Sequence, residues 1–380
     1  MAGIYLHLPF CRRKCSYCAF NSRPLPDAAT LADYLAALEE KLDLRRPLLA
    51  QARVDTLYFG GGTPSLAAPE RIAALIDRCR ASVREFADDI EITLEANPET
   101  LDADKLAGYR AAGVNRLSLG AQSFDEKALA FLERNHRPEQ VRAAVDMARA
   151  AGIMNINVDV IVGLPEPHAA SWESDLQQAL ALSPQHLSVY LLSVEQGTRL
   201  YERARTGTFT PLDDERQADI FLAVHEALTR AGYEHYEVSN YARPGCASRH
   251  NSATWRGEAY LGVGAGAHSF WPQEGRDTRW ANLAEPGDYR QRLHWGEEPV
   301  EFMEEITPLM RRRERLMLAL RTAAGVDPRE FAPHVSALTA ALETMRARDY
   351  FTYKNDRYRP TPAGMLLADG LAVELWETLE

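Results

Sequence analysis

Short β-rich apolar runs alternate with longer amphipathic stretches over the first 240 residues of the chain. The apolar residues of the longer stretches recur at steps of three and four, the spacing of a helix that buries one face. The shorter runs predict strands at residues 3–8, 54–60, 89–96, 114–121, 156–163 and 186–194. Six strand–helix units in series predict an α/β fold whose parallel sheet curves into a partial or full barrel.

Short polar and glycine-rich sequence motifs follow these predicted strands. "GGGTP" follows the second strand, "EANP" ends the third, "AQSFD" ends the fourth and "GLPEP" follows the fifth. The first strand leads directly into "HLPFCRRKCSYCAFN", which holds Cys11, Cys15 and Cys18. Because the carboxyl ends of parallel strands meet at one rim of a barrel, we expect the functional site at this rim.

The pattern changes after residue 240, where the predicted barrel (residues 1–240) ends. Residues 241–305 are rich in glycine, aromatic and polar residues and have no clear period, so we assign them to a connecting segment. Residues 306–380 have the pattern of two helices, a hairpin and a further helix, which predicts a winged-helix-like α+β domain. Its basic word "RRRER" is interpreted as a solvated helix face.

Composition and charge exclude several classes of protein. The net charge of -11 argues against a general nucleic-acid binder, which needs positive charge to displace counterions. No apolar run approaches about 18 residues, so we expect no transmembrane segment. The sequence is compatible with peripheral contact with a membrane. The 5 cysteines are odd in number and clustered, which does not suggest a disulfide framework, and we expect a reducing, cytoplasmic setting.

The cysteine spacing C-x3-C-x2-C is compatible with several kinds of site. A zinc site usually needs a fourth ligand, commonly from a second cysteine pair, and this chain has no such pair. A redox C-x-x-C needs only two thiols and leaves the third unexplained. A cubane iron–sulfur cluster on three thiolates leaves one iron open to a small molecule. Incidental cysteines in a buried loop are the remaining alternative, which their local density disfavours.

The cysteine word after the first strand, with "GGGTP" after the second, resembles the radical S-adenosylmethionine superfamily. The resemblance implies a partial (βα)6 barrel and a 4Fe-4S cluster on Cys11, Cys15 and Cys18. It also implies S-adenosylmethionine chelated to the open iron, where an electron from the cluster splits it into methionine and a 5′-deoxyadenosyl radical. The protein then positions the cofactor and excludes water, while the cofactor performs the difficult chemistry.

A narrower resemblance rests on "YLHLPFCRRKCSYCAFN", "YFGGGTPS", "LEANP", "LGAQSFD", "RNH", "NVDVIVGLP" and "RHN…W" in this order. These words are similar to oxygen-independent coproporphyrinogen III oxidase and, more closely, to its shorter relatives, the radical S-adenosylmethionine heme chaperones. The likeness implies that the cofactor is contacted by Tyr5, Tyr17, Gly61, Gly62, Thr63, Glu95, Gln122, Arg134 and Asp159. Arginine pairs with carboxylates, and aspartate accepts from ribose hydroxyls. A solvated helix end for Arg134 and core packing for each tyrosine are the structural alternatives.

Two features at the start of the chain favour the heme chaperones over the oxidase. The oxidase has a fourth cysteine two residues after the third, where this chain has Phe20. The oxidase also has a longer extension before the cluster, whereas Cys11 lies close to the start of this sequence.

A third feature is the H-N-x-x-Y-W word of the chaperones, which is linked to heme. His250, Asn251 and Trp255 match it, and Thr254 replaces the tyrosine. The resemblance therefore implies His250 as a heme ligand, since an imidazole can ligate heme iron. His268 is a second candidate, and a loop histidine with ordinary hydrogen bonds is the alternative.

We therefore expect a heme chaperone that holds the cluster, S-adenosylmethionine and heme and delivers heme to a target hemoprotein, with a respiratory protein as candidate. A reductant protein for the cluster is a further expected partner. One alternative is the oxidase, which decarboxylates two propionates of coproporphyrinogen III by radical chemistry. Another is a cluster-bearing interaction protein that never cleaves the cofactor.

Overall fold

The computed structural model describes residues 2–166, 171–273 and 276–379. Its strands are β1 (Ala2–Leu8), β2 (Phe10–Cys11), β3 (Arg23–Pro24), β4 (Arg53–Gly61), β5 (Glu85–Ala96), β6 (Arg116–Gln122), β7 (Asn155–Val162), β8 (His186–Leu191), β9 (Glu234–Glu237), β10 (Asn240–Ala242), β11 (Ala259–Val263), β12 (His268–Gln273), β13 (Arg276–Asn282), β14 (Val300–Ile306), β15 (Phe351–Lys354) and β16 (Arg357–Pro360). Its helices are α1 (Ala28–Leu44), α2 (Arg46–Leu49), α3 (Pro69–Ser82), α4 (Ala103–Ala112), α5 (Glu126–Phe131), α6 (Pro138–Ala150), α7 (Trp172–Ala181), α8 (Arg199–Arg205), α9 (Asp214–Arg230), α10 (Arg249–Trp255), α11 (Pro286–His294), α12 (Pro308–Leu320), α13 (Val335–Arg346), α14 (Pro362–Leu366) and α15 (Ala368–Trp376).

Six parallel strands form the centre of the molecule in the order β1-β4-β5-β6-β7-β8. These are the six strands that the sequence predicts, and they confirm the α/β partial barrel. The largest difference lies in β5, which begins at Glu85, four residues before the predicted start at Asp89. The polar residues at its start join the sheet beside β4, where Arg53 forms an ion pair of 2.6 Å with Glu85.

The segment after β8 extends this sheet on both sides. β10 and β9 add antiparallel strands beside β8. β11 pairs parallel with β1, and β12, β13 and β14 continue from it as an antiparallel meander. The sequence pattern missed these strands, of which β11 contains a glycine that interrupts its alternation. This residue, Gly262, lies so close to β12 that a side chain there would collide with the backbone carbonyl of His268.

The outward and inward faces of the barrel strands differ in polarity. Ile156, Val158 and Val160 of β7 are buried in an apolar cluster that α6, α7 and α9 share. Asn157 and Asp159 of the same strand point the other way and line a cavity inside the barrel. Alternation along the strands therefore places the core outside the sheet and a polar lumen within it.

The carboxyl-terminal unit has its own apolar core. Helices α12, α13 and α15 and the β15–β16 hairpin supply Leu316, Leu342, Tyr358 and Leu371 to it. The predicted order of helix, helix, hairpin and helix is confirmed, although the last predicted helix is divided into α14 and α15. In the described part of the chain, no helix combines the length and the apolar character that crossing a membrane requires.

The burial of Glu237 at the end of β9 predicts that the free energy of unfolding depends on pH. Only 1% of this residue is exposed, and burial raises the pKa of its carboxyl to about 7. The folded protein thus holds this proton more tightly than the unfolded chain, so unfolding free energy should fall as pH rises through 5 to 7 and then level off. Glu237→Gln should remove this part of the decrease, which amounts to about 3 kcal/mol at most.

Urea unfolding at pH 5 and pH 8 measures this effect. Glu234→Gln is the matched control, because Glu234 lies on the same strand and is exposed. The assignment is wrong if Glu237→Gln retains the pH dependence of the wild-type protein.

Candidate functional site

The three clustered cysteines open onto one cavity of about 460 Å³ at the carboxyl ends of the barrel strands. The structure brings most of the predicted site residues to its wall, namely Cys11, Cys15, Tyr17, Cys18, Gly61, Gly62, Glu95, Gln122, Arg134 and Asp159. Tyr5, Thr63 and His250 are not in direct contact with this space. The rim that the strand order predicts is therefore where these side chains meet.

Backbone pairing holds the cysteine loop in place. Cys11 lies in β2, which pairs with β3, and its carbonyl accepts a hydrogen bond of 2.8 Å from the Leu25 amide. Cys15 and Cys18 follow in a turn closed by a Cys18 N–H to Cys15 carbonyl bond of 3.4 Å. All three thiols are free and half-buried. Burial raises the pKa of Cys11, and a hydrogen bond from Thr63 opposes that shift.

The loop fits an inorganic cluster. A Cβ atom added to Gly62 would lie 2.6 Å from the Phe10 carbonyl oxygen and 2.9 Å from Cys11 Sγ, so only glycine allows this close approach. Among the described residues, no three His, Cys, Asp or Glu side chains converge on a single metal position. A cubane does not require such convergence, because each thiolate ligates a different iron.

Arg134 connects the cysteine loop to two strand ends. Its Nη2 donates to Asn97 Oδ1 and to the Gly120 carbonyl, both at 2.7 Å, and its Nη1 lies 3.6 Å from Cys15 Sγ. Asn97 in turn donates to Thr63 Oγ1 at 3.0 Å. In the described structure the buried Arg134 Nε has no hydrogen-bond partner. A fixed guanidinium with a spare N–H suits an anionic group such as a carboxylate.

Two carboxyl groups line the same cavity. Glu95 accepts hydrogen bonds from Tyr58 Oη at 2.8 Å and from the Gly61 amide at 3.1 Å, and burial raises its pKa to about 7. Asp159 accepts from Asn157 Nδ2 at 2.7 Å, and burial also raises its pKa. The half-buried Asp159 therefore has the polar partner that its position in an apolar strand requires.

Gln122 has an unusual backbone for a side chain of its type. Its φ is 65°, and the pairing of β6 with β7 shifts register between Gly120 and Gln122. Such irregularities redirect a side chain at the end of a strand. Here the bulge accompanies a Gln122 side chain that lines the cavity rather than the core.

Tyr5 and His250 lie deeper in the barrel. The Tyr5 hydroxyl is 3.0 Å from His7 Nδ1, and its ring centroid is 5.9 Å from that of Tyr58. His250 on α10 is 8% exposed, and its Nδ1 lies 2.9 Å from Thr56 Oγ1. Burial lowers the pKa of His250 to about 4, so the ring is neutral at physiological pH.

Helix α10 closes the cavity at the end opposite the cysteine loop. Ser248 and Asn251 line the cavity, whereas His250 points between Tyr58 and Thr56. The amides of Arg249 and His250 each donate to the Glu91 carboxylate at 3.1 Å. The sequence motif on α10 that matches the heme chaperones thus closes one end of the barrel interior.

The cavity wall also contains residues that the sequence did not single out. The main ones are Tyr58, Asn97, Arg116, Asn157 and His186. Asn97 stands in the "EANP" motif, two residues after the predicted site residue Glu95. Asn157 and His186 are bonded to each other at 2.6 Å. The sequence could have indicated these two residues, because polar residues at every second position of a buried strand predict a row of side chains that faces the barrel interior.

Comparisons with known proteins find relatives that span most of this chain. Residues 5–179 match the model of the Radical SAM superfamily. The chain is 36% identical to heme chaperone HemW of Escherichia coli over 97% of this chain and 96% of that protein. It is 37% identical to HemW of Mycobacterium tuberculosis over 97% and 93%. It is 35% identical to the mitochondrial radical S-adenosyl methionine domain-containing protein 1 of Bos taurus over 89% and 77%.

A solved structure shares the fold. The coproporphyrinogen III oxidase HemN of Escherichia coli, described as a radical SAM enzyme, matches with a TM-score of 0.82 and 25% identity. The match covers 98% of this chain and 89% of that one. The similarity therefore includes the barrel, the added strands and the carboxyl-terminal unit.

Gly62→Ala tests the close approach at the cysteine loop. The added methyl group would push the loop away from the strand end, so we expect the variant to retain less than about half the wild-type iron and sulfide after anaerobic reconstitution. Gly287→Ala is the control, because a Cβ there meets no atom within 4 Å. Wild-type cluster content in Gly62→Ala would contradict the proposed fit.

Proposed function

The chain belongs to the heme chaperone family of the radical S-adenosylmethionine superfamily, and we propose that it binds heme and delivers it to a target hemoprotein. The observation that carries this proposal is the likeness to proteins named heme chaperones over almost the whole chain. The position of Phe20, where the oxidase has a cysteine, supports the same choice.

The cofactor site is proposed residue by residue. Cys11, Cys15 and Cys18 would hold a 4Fe-4S cluster, and the spare N–H of Arg134 would take the carboxylate of S-adenosylmethionine. Glu95 and Asp159 would accept from its ammonium and ribose hydroxyl groups, and Gln122 and Tyr17 would complete the wall. Gly61 and Gly62 would face its methionine moiety, and Thr63 would support this wall through the hydrogen bond it accepts from Asn97. When bound, this pair supplies one-electron chemistry that no side chain provides.

Tyr5 fits an indirect part in this site. Its hydroxyl is engaged with His7, and it packs against Tyr58, which donates to Glu95. It therefore supports Glu95 through Tyr58 rather than by contact with the cavity.

The oxidase is the second candidate function. The overall match to HemN favours it, and the cavity is open at the rim where a tetrapyrrole would approach. Phe20 argues against it, since this residue is 70% exposed at the mouth of the cavity and lacks the thiol of the oxidase. Enzymatic turnover of coproporphyrinogen III is therefore the less favoured proposal.

Partners and compartment follow from the same proposal. Heme delivery requires a recipient hemoprotein, and a reductant protein is needed if the cluster is to be reduced. The 5 free cysteines support a reducing, cytoplasmic setting. The net charge of -11 disfavours nucleic acid as a partner.

His250 stays a predicted heme ligand. Its ring is buried and already bonded to Thr56, and Tyr58 packs over it at a centroid distance of 5.0 Å. Ligation of heme by His250 would therefore require α10 to move away from the barrel floor.

A paired assay tests the proposed function. The reconstituted protein should bind heme at one equivalent and transfer it to an apo-hemoprotein, and it should produce no protoporphyrinogen from coproporphyrinogen III. The assay would supply S-adenosylmethionine and a low-potential reductant, and it would monitor the Soret band and 5′-deoxyadenosine together. Multiple turnovers to protoporphyrinogen would establish the oxidase instead, and absence of heme binding would end the chaperone proposal.

Glu95 predicts a pH dependence of cofactor binding. A carboxyl with a pKa of about 7 is about one-tenth ionised at pH 6 and about nine-tenths at pH 8. If the anion accepts from the cofactor's ammonium, affinity for S-adenosylmethionine should rise by about tenfold over this range. Calorimetry on the reconstituted protein measures it.

Two variants separate Glu95 from other titrating groups. Glu95→Gln should bind more weakly at pH 8 and lose most of the pH dependence. Glu195→Gln should behave like wild type, because Glu195 lines the same cavity but is exposed. An unchanged pH profile in Glu95→Gln would assign the dependence to another group, such as Asp159 or the ligand itself.

A further inference from the structure

We propose that His268 supplies an axial ligand to heme on an open face of the sheet beside the cysteine loop, where Phe302 provides an apolar contact. The proposal rests on the proposed heme binding and adds a location and a ligand to it. It differs from the prediction for His250, because His268 needs no rearrangement to become accessible.

Topology places His268 at the same rim as the cysteines. β11 runs parallel to β1, so the turn that follows β11 lies at the carboxyl-end rim where β1 leads into the cysteine loop. Asn21, just after the loop, donates to the Ala265 carbonyl in this turn at 3.1 Å and to the Ala284 carbonyl at 2.8 Å. His268 is the first residue of β12 after the turn.

The side chain of His268 is on the lumen-facing side of the sheet. Tyr5 pairs with Gly262 and Tyr260 with Phe270, so Tyr260 and Phe270 share the face of Tyr5. Alternation puts His268, two residues before Phe270, on that face as well. The face that lines the barrel therefore continues across β11 onto β12 and β14.

Phe302 stands beside His268 on this face. Ala281 of β13 lies opposite both residues in register, with His268 on one side and Phe302 on the other. The two rings meet edge to face at a centroid distance of 5.9 Å. The small side chain of Ala281 between them leaves a shallow floor flanked by an imidazole and a phenyl ring.

Helix α12 covers the part of this face around Phe270 and Arg279, and the part around His268 and Phe302 is open to solvent. Arg311 of α12 packs on Phe270 at 4.4 Å, and Arg279 donates to Glu314 of α12 at 2.7 Å. Above this helix His268 is exposed and Phe302 is 43% exposed. Within residues 2–166, 171–273 and 276–379, no group forms a hydrogen bond or ion pair with the His268 ring.

This combination matches what a heme needs. Heme iron takes an imidazole nitrogen as axial ligand, and the porphyrin face packs on aromatic and apolar surface. Phe20, 70% exposed and adjacent to Asn21, adds a second aromatic ring at the same rim. A heme on His268 would thus lie next to the cysteine loop without entering the cofactor cavity.

Hemin titration of the reconstituted full-length protein tests the assignment. His268→Ala should bind heme at least about tenfold more weakly and lose the Soret and electron paramagnetic resonance signals of histidine-ligated iron. His294→Ala is the matched control, since His294 is exposed on α11 and should leave both unchanged. Phe302→Ala should lower affinity by a smaller factor and leave the iron signals intact.

Chemical rescue distinguishes ligation from a structural effect. Free imidazole added to His268→Ala should restore the spectrum of histidine-ligated iron, which a misfolded variant could not do. Wild-type affinity and spectrum in His268→Ala would overturn the assignment while leaving heme binding itself in place, and loss of the signals in His250→Ala alone would transfer it to His250. If the wild-type protein binds no heme, the proposed function fails together with this inference.

Discussion

Side-chain alternation in six parallel strands is the constraint on which the rest of the site depends. Residues at every second position face the helices and must be apolar, and the intervening residues face a lumen that helices do not fill. Polar groups in that lumen are removed from bulk water, so they must bond to one another. Asn157 donates to Ser118 at 2.8 Å and to Asp159 at 2.7 Å and also pairs with His186. The cavity is thus bounded by side chains that hold each other in position before any cofactor arrives.

Because one end of the lumen is closed, ligands reach the site from the other end. Helix α10 is held beneath the barrel by the Glu91 carboxylate and by the pair of His250 with Thr56. The opposite end remains open between the cysteine loop and the strand ends. A ligand therefore enters at the rim, where Phe20 and His268 are exposed, and meets the fixed polar floor only after passing the cysteines.

Much of this arrangement could be predicted from the sequence, because its signals are local. The six barrel strands follow from runs of β-rich residues, and the rim follows from the words after those strands. The added strands β11–β14 could not be predicted, since they follow no regular alternation, and in β11 Gly262 instead allows close backbone approach to β12. Tyr5 and His250 match family words as well as any other residue, yet their depth in the barrel depends on pairing between distant strands. Asn97 could not be predicted although it lies two residues after Glu95, because only the folded structure brings Arg134 within reach of it.

The pairing of β1 with β11 has a consequence for biosynthesis. β1 leaves the ribosome long before its neighbour β11, which begins only at Ala259. At about 5–20 residues per second, one edge of β1 stays unpaired for roughly 13 to 50 seconds. The turn after β11 also anchors Asn21, so the cysteine loop acquires its final support late in translation. A nascent chain therefore exposes an open sheet edge and three thiols until β11 has been synthesised.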